Sequence, residues 1–223
     1  MVYNNLILVF DTETTGLLPR GSDASHIQNY PYITQLSYIV YDTELCKEIH
    51  RFNSYININQ NIPLSDLVKD LTGVTREKLD GGVNILAAIV EFYKYYSSCS
   101  NIIAHNITFD KQMLLVEMER HREAIQVNHP ECLALFNTFF EKSKNINHYC
   151  TMANSKNLCN IIVPPKVEGK KPYIKNPKLI ELYKHLFQDK EVTGLHNSMT
   201  DVIVCLQCYL KMIHNKIDES LGV

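Results

Sequence analysis

The chain has 223 residues, of which 45% are hydrophobic and 21% are charged, and its formal net charge at pH 7 is -2. This length and composition are typical of a globular protein with a substantial core and exclude a disordered or fibrous chain. The small net charge also excludes a uniformly basic coat for nucleic acid, although it is compatible with a local basic channel.

Nothing in the sequence divides the chain, so we expect a single domain over residues 1–223. We find no secretory signal and no apolar run of the roughly 18 residues that a membrane span needs. The seven cysteines, an odd number, are scattered through apolar stretches, which is typical of a reducing compartment. We therefore expect an intracellular protein, cytoplasmic or nuclear, that is neither secreted nor bound to a membrane.

The first predicted element is a buried strand, "LILVF" at residues 6–10, which leads into "DTETTGL". Its five apolar residues do not alternate with polar ones, and this favours a central strand covered on both faces. Asp11 and Glu13 follow where the strand is expected to end, and residues two apart on an extended chain point to the same side. The two carboxylates could simply face water, or they could share a divalent cation that removes their repulsion.

The next predicted elements are a loop, two strands and a helix. Residues 17–31 lack periodicity and predict a long loop, and loops of that length are usually functional. "YITQLSYIVYD" and "EIHRFNSYINI" predict two strands that join through a turn at residues 43–47 and lie antiparallel beside the first strand. The helix that follows is predicted from one apolar face, formed by Val83, Leu86, Ala87, Val90 and Tyr93.

The second half of the chain adds a strand and two long helices. "NIIAHN" predicts a short buried strand that leads into a helix from about Phe109 to His121. The last helix is predicted from about Ser198 to Ile213, with an apolar face of Val202, Cys205, Leu206, Tyr209 and Met212. Together the elements predict an α/β fold, in which helices cover the faces of a mixed sheet.

Two further acids lie at predicted helix starts. Asp110 falls in the first turn of its helix, which Asn106 or Thr108 could cap. Asp201 completes a capping-box pattern with Ser198. Each acid alone has this structural explanation, but all four acids fall at a strand end or a helix start that packs on the sheet. Such ends can converge at one edge.

His196 adds a chemical indication, because it precedes Asp201 by five residues in "GLHNSMTD". On one continuous helix the two side chains would point well apart. Gly194, together with a cap at Asn197 or Ser198, instead places His196 in a flexible approach to the helix. From there its imidazole could swing over the acids.

A lysine-rich segment, "KVEGKKPYIKNPK" at residues 166–178, holds five lysines against one glutamate. Its two prolines predict an exposed loop. The lysines could simply be solvated, or they could form a rail for a phosphate backbone, with Lys170, Lys171 and Lys175 as candidate contacts.

At this point the motifs carry a resemblance to a family. "FDTETTGL", "HNITFD" and "HNSMTD" resemble, in this order, the three exonuclease motifs of the DEDDh group of DnaQ-like 3′-5′ exonucleases. "ITQLSYIVYD", "LTGVTREKLDGG" and "YCTM" are weaker matches to the same family, so the resemblance covers residues 6 to about 210. It implies an RNase H-like fold, with a five-stranded mixed sheet flanked by α-helices, in a single exonuclease domain.

The resemblance also implies roles for particular residues. Two divalent ions, Mg²⁺ or Mn²⁺, would be held by Asp11, Glu13, Asp110 and Asp201, and the general base would be His196. The terminal nucleotide would meet Thr14, Thr15, Gly16 and Leu17, with Leu17 wedged against its base. Asn106 would support the site by hydrogen bonding and Phe109 by packing.

These residue types suit phosphodiester hydrolysis. Hard oxygen ligands hold the cations that stabilise charge on the attacking and leaving oxygens, and an imidazole accepts a proton at neutral pH. We therefore expect a metal-dependent 3′-5′ exonuclease that releases nucleotides from 3′ ends of single-stranded or frayed DNA.

Two alternatives remain open at the level of sequence. The first is an exoribonuclease that trims RNA or oligoribonucleotides, because no residue recognisably reads a 2′-hydroxyl. The second is a catalytically silent nucleic-acid-binding module. The expected partner is nucleic acid with a free 3′ end, single-stranded DNA before RNA, and a polymerase or repair protein is a further candidate.

Overall fold

The computed structural model describes residues 3–165, 171–188 and 190–222. Its main strands are β1 Tyr3–Thr14, β2 Ile33–Asp42, β3 Lys47–Tyr55, β4 Cys99–Ala104 and β5 Asn147–Cys150. They form one sheet in the order β3-β2-β1-β4-β5. The β1–β2 and β2–β3 pairs are antiparallel, whereas β1–β4 and β4–β5 are parallel. The predicted α/β fold with a five-stranded mixed sheet is confirmed.

Helices flank this sheet. They are α1 Asp66–Thr72, α2 Arg76–Asp80, α3 Ile85–Tyr96, α4 Ile107–Arg120, α5 Arg122–Asn128, α6 Thr138–Lys144, α7 Thr151–Cys159, α8 Leu179–Leu186 and α9 Ser198–Tyr209. Between α7 and α8, the short strands β6 Ile162–Val163 and β7 Tyr173–Ile174 pair antiparallel. Within the described residues, no helix has both the length and the apolar character that crossing a bilayer requires.

The alternation of side chains along β1 divides the core between two helical layers. Leu8 and Phe10 join the larger core cluster, to which α3 and α4 contribute. Ile7 and Val9 join a second cluster with side chains of α9. Because side chains on a strand alternate between faces, Asp11 and Glu13 continue the α9 side of β1, and Thr12 continues the α4 side.

The first strand is longer than predicted. We expected it to end at Phe10, but β1 continues to Thr14, because β2 runs beside it over the same length. Asp11 and Glu13 therefore lie within the sheet, paired in register with Ser37 and Gln35, and not beyond its end. The predicted antiparallel pairing of the first three strands is confirmed.

Helix boundaries also differ from the predictions. α4 begins at Ile107 instead of Phe109, because Asn106 adopts a left-handed conformation with φ 73° that turns the chain directly from β4 into the helix. The last helix is α-helical only to Tyr209, and the chain continues as a π-helical turn over Leu210–His214. The predicted loop at residues 17–31 contains two short 3₁₀ turns, at Gly21–Ser25 and Ile27–Asn29.

The predicted inward face of α3 is correct only in part. Its residues Val83, Leu86, Val90 and Tyr93 pack half-buried against the core, but Ala87 is exposed. The fully buried residues of the helix are Ile85, Ala88, Ile89, Phe92 and Tyr96. This helix is apolar over much of its circumference, so spacing alone could not select the buried side. The large rings of Phe92 and Tyr96 fill the core and select it.

Candidate active site

Three acids converge at the carboxyl end of β1. One carboxylate oxygen from each of Asp11, Glu13 and Asp201 lies within 4.8 Å of the other two. Asp11 and Glu13 come from β1, and Asp201 comes from the first turn of α9, which packs on the same side of the strand. Within the described residues, no lysine, arginine or histidine forms an ion pair with these three acids.

Asp110 approaches the same strand end from the opposite face of the sheet. It is buried in the first turn of α4, and its Oδ1 accepts hydrogen bonds from the Oγ1 and the backbone N–H of Thr12, at 2.7 and 3.0 Å. Thr12 thus ties the start of α4 to the strand between the two acids. Sequence analysis missed this role of Thr12. The available signal was its place between Asp11 and Glu13, because successive side chains of a strand point to opposite faces of the sheet.

Burial, together with mutual repulsion, destabilises the charged forms of these acids. Burial, followed by repulsion from Asp201 and Asp110, raises the pKa of Glu13 to about 8. Burial also raises the pKa of Asp201 to about 7, and it raises the pKa of Asp110 to about 7 against the hydrogen bonds from Thr12. The pKa of Asp11 lies well above its usual value because of burial and the charges of the other three acids. A bound cation would relieve this repulsion.

One oxygen of Asp201 supports this interpretation. Its Oδ2 accepts a hydrogen bond from the backbone N–H of His196 at 3.3 Å, but its Oδ1 is buried without a hydrogen-bond partner. A buried carboxylate oxygen without a donor is unfavourable unless something else neutralises it. Hard carboxylate oxygens are also the ligands that Mg²⁺ and Mn²⁺ prefer, so these residues fit a divalent cation.

Buried hydrogen bonds fix the start of α9 over β2. The hydroxyls of Ser198 and Ser37 share a hydrogen bond at 2.6 Å, and the Ser198 N–H donates to Gln35 Oε1 at 3.4 Å. The cap of the helix is Asn197, one of the two predicted candidates, and its side chain accepts from the Met199 N–H at 3.2 Å. The alternative, a capping box of Ser198 with Asp201, does not form. Asp201 is therefore not a capping residue, and its carboxylate faces Asp11 and Glu13.

His196 lies next to the acids through its backbone. It has a left-handed φ of 67°, a conformation that is unfavourable for a non-glycine residue, and its side chain is exposed. Because its N–H is bonded to Asp201, the position of the imidazole is coupled to that of the acid. The predicted location, in an approach to the helix and not on it, agrees with the structure.

The segment after Glu13 is held by its own hydrogen bonds. Thr15 and Tyr32 are paired twice: the Thr15 N–H donates to the Tyr32 carbonyl at 2.9 Å, and the Tyr32 N–H donates to Thr15 Oγ1 at 3.0 Å. The Thr14 hydroxyl donates to the Gly16 carbonyl at 2.6 Å. These bonds occupy both threonine hydroxyls, whereas Leu17 extends into solvent with 82% of its surface exposed.

Gly16 has no structural requirement for glycine. Its φ is not in the left-handed region, and a Cβ built there would meet nothing within 4 Å. Open space beside the acids leaves room for a ligand to approach the backbone closely.

The residues around Asn106 lie at the start of α4, the helix that carries Asp110. Asn106 occupies the N-cap position of α4, but its side chain forms no capping hydrogen bond, and Phe109 packs half-buried against the main core. The preceding residue, His105, was not singled out from the sequence. Its Nε2 donates to the Pro177 carbonyl at 3.1 Å and its Nδ1 accepts from the Thr151 hydroxyl at 2.9 Å. Burial lowers its pKa to about 4, so it is neutral at pH 7.

The predicted lysines are not equivalent. Lys170 lies outside the described residues. Lys171 is exposed, whereas Lys175 is half-buried and forms an ion pair with Glu181 at 2.5 Å. Within the described residues, neither Lys171 nor Lys175 contacts the acids.

A comparison with known protein families matches most of the chain. The family model RNase_T, described as an exonuclease family, matches residues 8–209. The chain belongs to this exonuclease family. The resemblance predicted from the three motifs is thereby confirmed.

Curated relatives of this exonuclease family member include DNA polymerase III PolC-type of Streptococcus sanguinis, which is 31% identical over 114 residues. The corresponding protein of Streptococcus mutans is 29% identical over 118 residues. Each match covers 51% of this chain and 7% of the relative, so the chain aligns with only a small part of these large proteins.

Solved structures with the same fold are also exonucleases. E. coli exonuclease I in complex with a dT13 oligonucleotide has a TM-score of 0.60 at 14% identity, covering 95% of this chain and 42% of that one. A 3′-exonuclease that recognises the 3′ end of a histone mRNA stem-loop has a TM-score of 0.63 at 14% identity, covering 97% and 85%. At 14% identity, this similarity shows a shared fold and nothing more.

Proposed function

We propose that this exonuclease family member is a metal-dependent 3′-5′ exonuclease that releases nucleotides from the 3′ ends of single-stranded or frayed DNA. The observation that carries the proposal is the convergence of Asp11 and Glu13 from β1 with Asp201 from α9, and Asp110 of α4 is close enough for its charge to act on Asp11. Their raised pKa values and the unpartnered Oδ1 of Asp201 support a site that binds a positively charged ligand.

Asp11, Glu13, Asp110 and Asp201 would hold two divalent cations, Mg²⁺ or Mn²⁺. When bound, such cations supply the positive charge that activates an attacking water and stabilises the leaving oxygen. Thr12 fixes the orientation of Asp110, and the Ser37–Ser198 hydrogen bond fixes α9 and with it Asp201. The chain thereby keeps the four carboxylates in place before the substrate arrives.

His196 is the proposed general base. Its side chain is exposed next to Asp201, and a neutral imidazole there can take the proton of the attacking water. The backbone of His196 is held by the hydrogen bond from its N–H to Asp201. The imidazole would therefore move toward the acids by rotation about its side-chain bonds.

The terminal nucleotide is proposed to lie over Gly16 and against Leu17. The open space at Gly16 permits close approach of a sugar or base, and the exposed Leu17 side chain can wedge against the base. Thr14 and Thr15 shape this segment through their internal hydrogen bonds. Asn106 and Phe109 support the start of α4. Lys171 is a candidate contact for the phosphate backbone, as are Lys170 and Lys175.

DNA is favoured over RNA by the curated relatives, which are named as DNA polymerases, and a polymerase is therefore the proposed partner class.

The test uses matched DNA and RNA oligomers of one sequence, labelled at the 3′ or the 5′ end, with Mg²⁺. We expect immediate release of a 3′-labelled mononucleotide and a descending ladder from the 5′-labelled DNA. Asp201→Asn and excess chelator should each abolish both signals.

Three outcomes would contradict the proposal. Faster degradation of the RNA would assign an exoribonuclease, and a single internal cut would assign an endonuclease. Degradation that survives exhaustive chelation would refute the metal site.

A further inference from the structure

Arg120, the last residue of α4, is buried although it is charged, with 10% of its side chain exposed. Its guanidinium donates hydrogen bonds to the backbone carbonyls of Ile27, Tyr30 and Pro31, at 3.3, 2.6 and 2.9 Å. All three carbonyls belong to the loop at residues 17–31, directly after the proposed substrate segment. A planar guanidinium with several fixed donors suits this arrangement, whereas a lysine could satisfy only part of it.

The side chains of Glu117 and Tyr32 complete this group. We call Arg120, Glu117 and Tyr32 together the Arg120 cluster. The guanidinium carbon lies 3.7 Å from the centre of the Tyr32 ring, and Glu117 Oε1 accepts from Arg120 at 2.9 Å. The same Glu117 oxygen accepts from the Ile33 N–H at 3.2 Å. The Arg120 cluster therefore joins α4 both to the loop and to the start of β2.

The Arg120 cluster lies beside the end of β1. Ile33 pairs with Thr14 at the point where the β1–β2 register shifts, one residue after Glu13. Tyr32 is bonded twice to Thr15, so the loop is closed at its base by Thr15 and held internally by Arg120. Leu17 remains exposed at the start of this closed loop.

Two residues of α4 thus hold this end of the sheet, one at β1 and the other at the start of β2. Asp110 is bonded to Thr12, and Glu117, seven residues later, is bonded to Arg120 and Ile33. Seven residues are two helical turns, about 10 Å along the axis. The position of Gly16 and Leu17 relative to the acids is therefore set by the same helix that carries Asp110.

We infer that Arg120 is a positioning residue for substrate binding, which holds the loop at residues 17–31 so that Gly16 and Leu17 are preformed for the 3′-terminal nucleotide. The inference rests on the proposed function. Without the Arg120 cluster the loop would have to be ordered when the substrate binds, and that entropy loss weakens binding. The acids and His196 would keep their places, so the chemical step should be spared. We expect KM to rise about tenfold or more while kcat changes less than about twofold.

The test compares variants of the Arg120 cluster. Arg120→Lys keeps the charge and removes most of the carbonyl hydrogen bonds. The double variant Glu117→Gln/Arg120→Met removes both charges together, so no buried charge is left unpaired if the single variant fails to fold. Arg122→Lys is the matched control, because Arg122 lies two residues away and pairs with Glu119 on the exposed surface.

Three quantities are measured for each protein: KM and kcat on a 5′-labelled DNA oligomer with Mg²⁺, Mg²⁺ affinity, and amide hydrogen exchange over residues 17–31. We expect the variants of the Arg120 cluster to exchange faster in this segment and to raise KM, with unchanged Mg²⁺ affinity, whereas Arg122→Lys should match wild type in all three.

An unchanged KM despite faster exchange would overturn the inference, as would a fall in kcat with KM unchanged. If the wild-type protein degrades no oligomer, the proposed function fails, and the affinity for a fluorescein-labelled DNA oligomer replaces KM as the readout for Arg120.

Discussion

Replacing Glu13 by glutamine should stabilise the metal-free protein at alkaline pH. Burial and the charges of Asp201 and Asp110 raise the pKa of Glu13 to about 8, whereas a glutamate in an unfolded chain titrates near 4.3. Between these pH values the folded state keeps a proton that the unfolded state has lost. The free energy of unfolding therefore falls as the pH rises through this window, and it is lowest above about pH 8.

The size of the effect follows from the pKa shift. At about 1.4 kcal/mol for each pKa unit, a shift from 4.5 to about 8 sets an upper limit near 5 kcal/mol. Glu13 is only half-buried, and the remaining acids take up part of the shared protons when it is replaced. We therefore expect Glu13→Gln to gain about 2 kcal/mol at about pH 9, or roughly 4–8 °C in Tm for a chain of this size.

The assay is thermal unfolding in excess chelator from about pH 5 to about pH 9. Glu13→Gln should melt close to wild type at the acidic end and above it at the alkaline end. Glu77→Gln, an exposed residue of α2, is the control and should follow wild type throughout. Added Mg²⁺ should stabilise wild type more than Glu13→Gln, because the cation binds only the folded carboxylate site. A constant difference between the two proteins across this pH range would refute the argument that burial and the neighbouring acids raise the pKa of Glu13.

Three further predictions concern separate parts of the site. His196→Ala should bind Mg²⁺ like wild type but turn over roughly 10²- to 10⁴-fold more slowly, because the attacking water loses its proton acceptor; Mg²⁺ titration and single-turnover rates measure the two effects, and a near-normal rate would remove His196 from the mechanism. Gly16→Ala should leave Tm unchanged, because its Cβ meets nothing within 4 Å, and should raise KM for DNA; an unchanged KM would place the nucleotide elsewhere. Lys171→Gln should flatten the dependence of DNA binding on salt, whereas Lys175→Gln should have less effect, because Lys175 is paired with Glu181; equal slopes for the two variants would remove this distinction.

The motif residues could be chosen from the sequence because their chemistry is restricted. Carboxylates that follow a buried strand and open two helices suit a cation site, and few other residue types would do so. The structure brings Asp11, Glu13 and Asp201 together, as their positions at the edge of a sheet suggested. The sheet could also be predicted, because its strands are short apolar runs with turn residues between them.

The supporting contacts could not be predicted, because they join residues that are far apart in the chain. Thr12 is bonded to Asp110, Ser37 to Ser198, and His105 to Pro177. Each of these residues is ordinary for its local element, and only the packing of helices on the sheet selects its partner. The same reason explains the inward face of α3, which local spacing left undetermined.

The sequence by itself determined which side chains are candidates for the chemistry and the class of fold that presents them, since charge type, spacing and apolar periodicity are local properties of a chain. Only the tertiary structure decided how those side chains are held: β1 continues through the acids because β2 runs beside it, Asp110 reaches them from the opposite face, and Arg120 holds the loop that follows. These arrangements depend on contacts across the sheet, where packing and the burial of charge act between segments that the sequence places far apart.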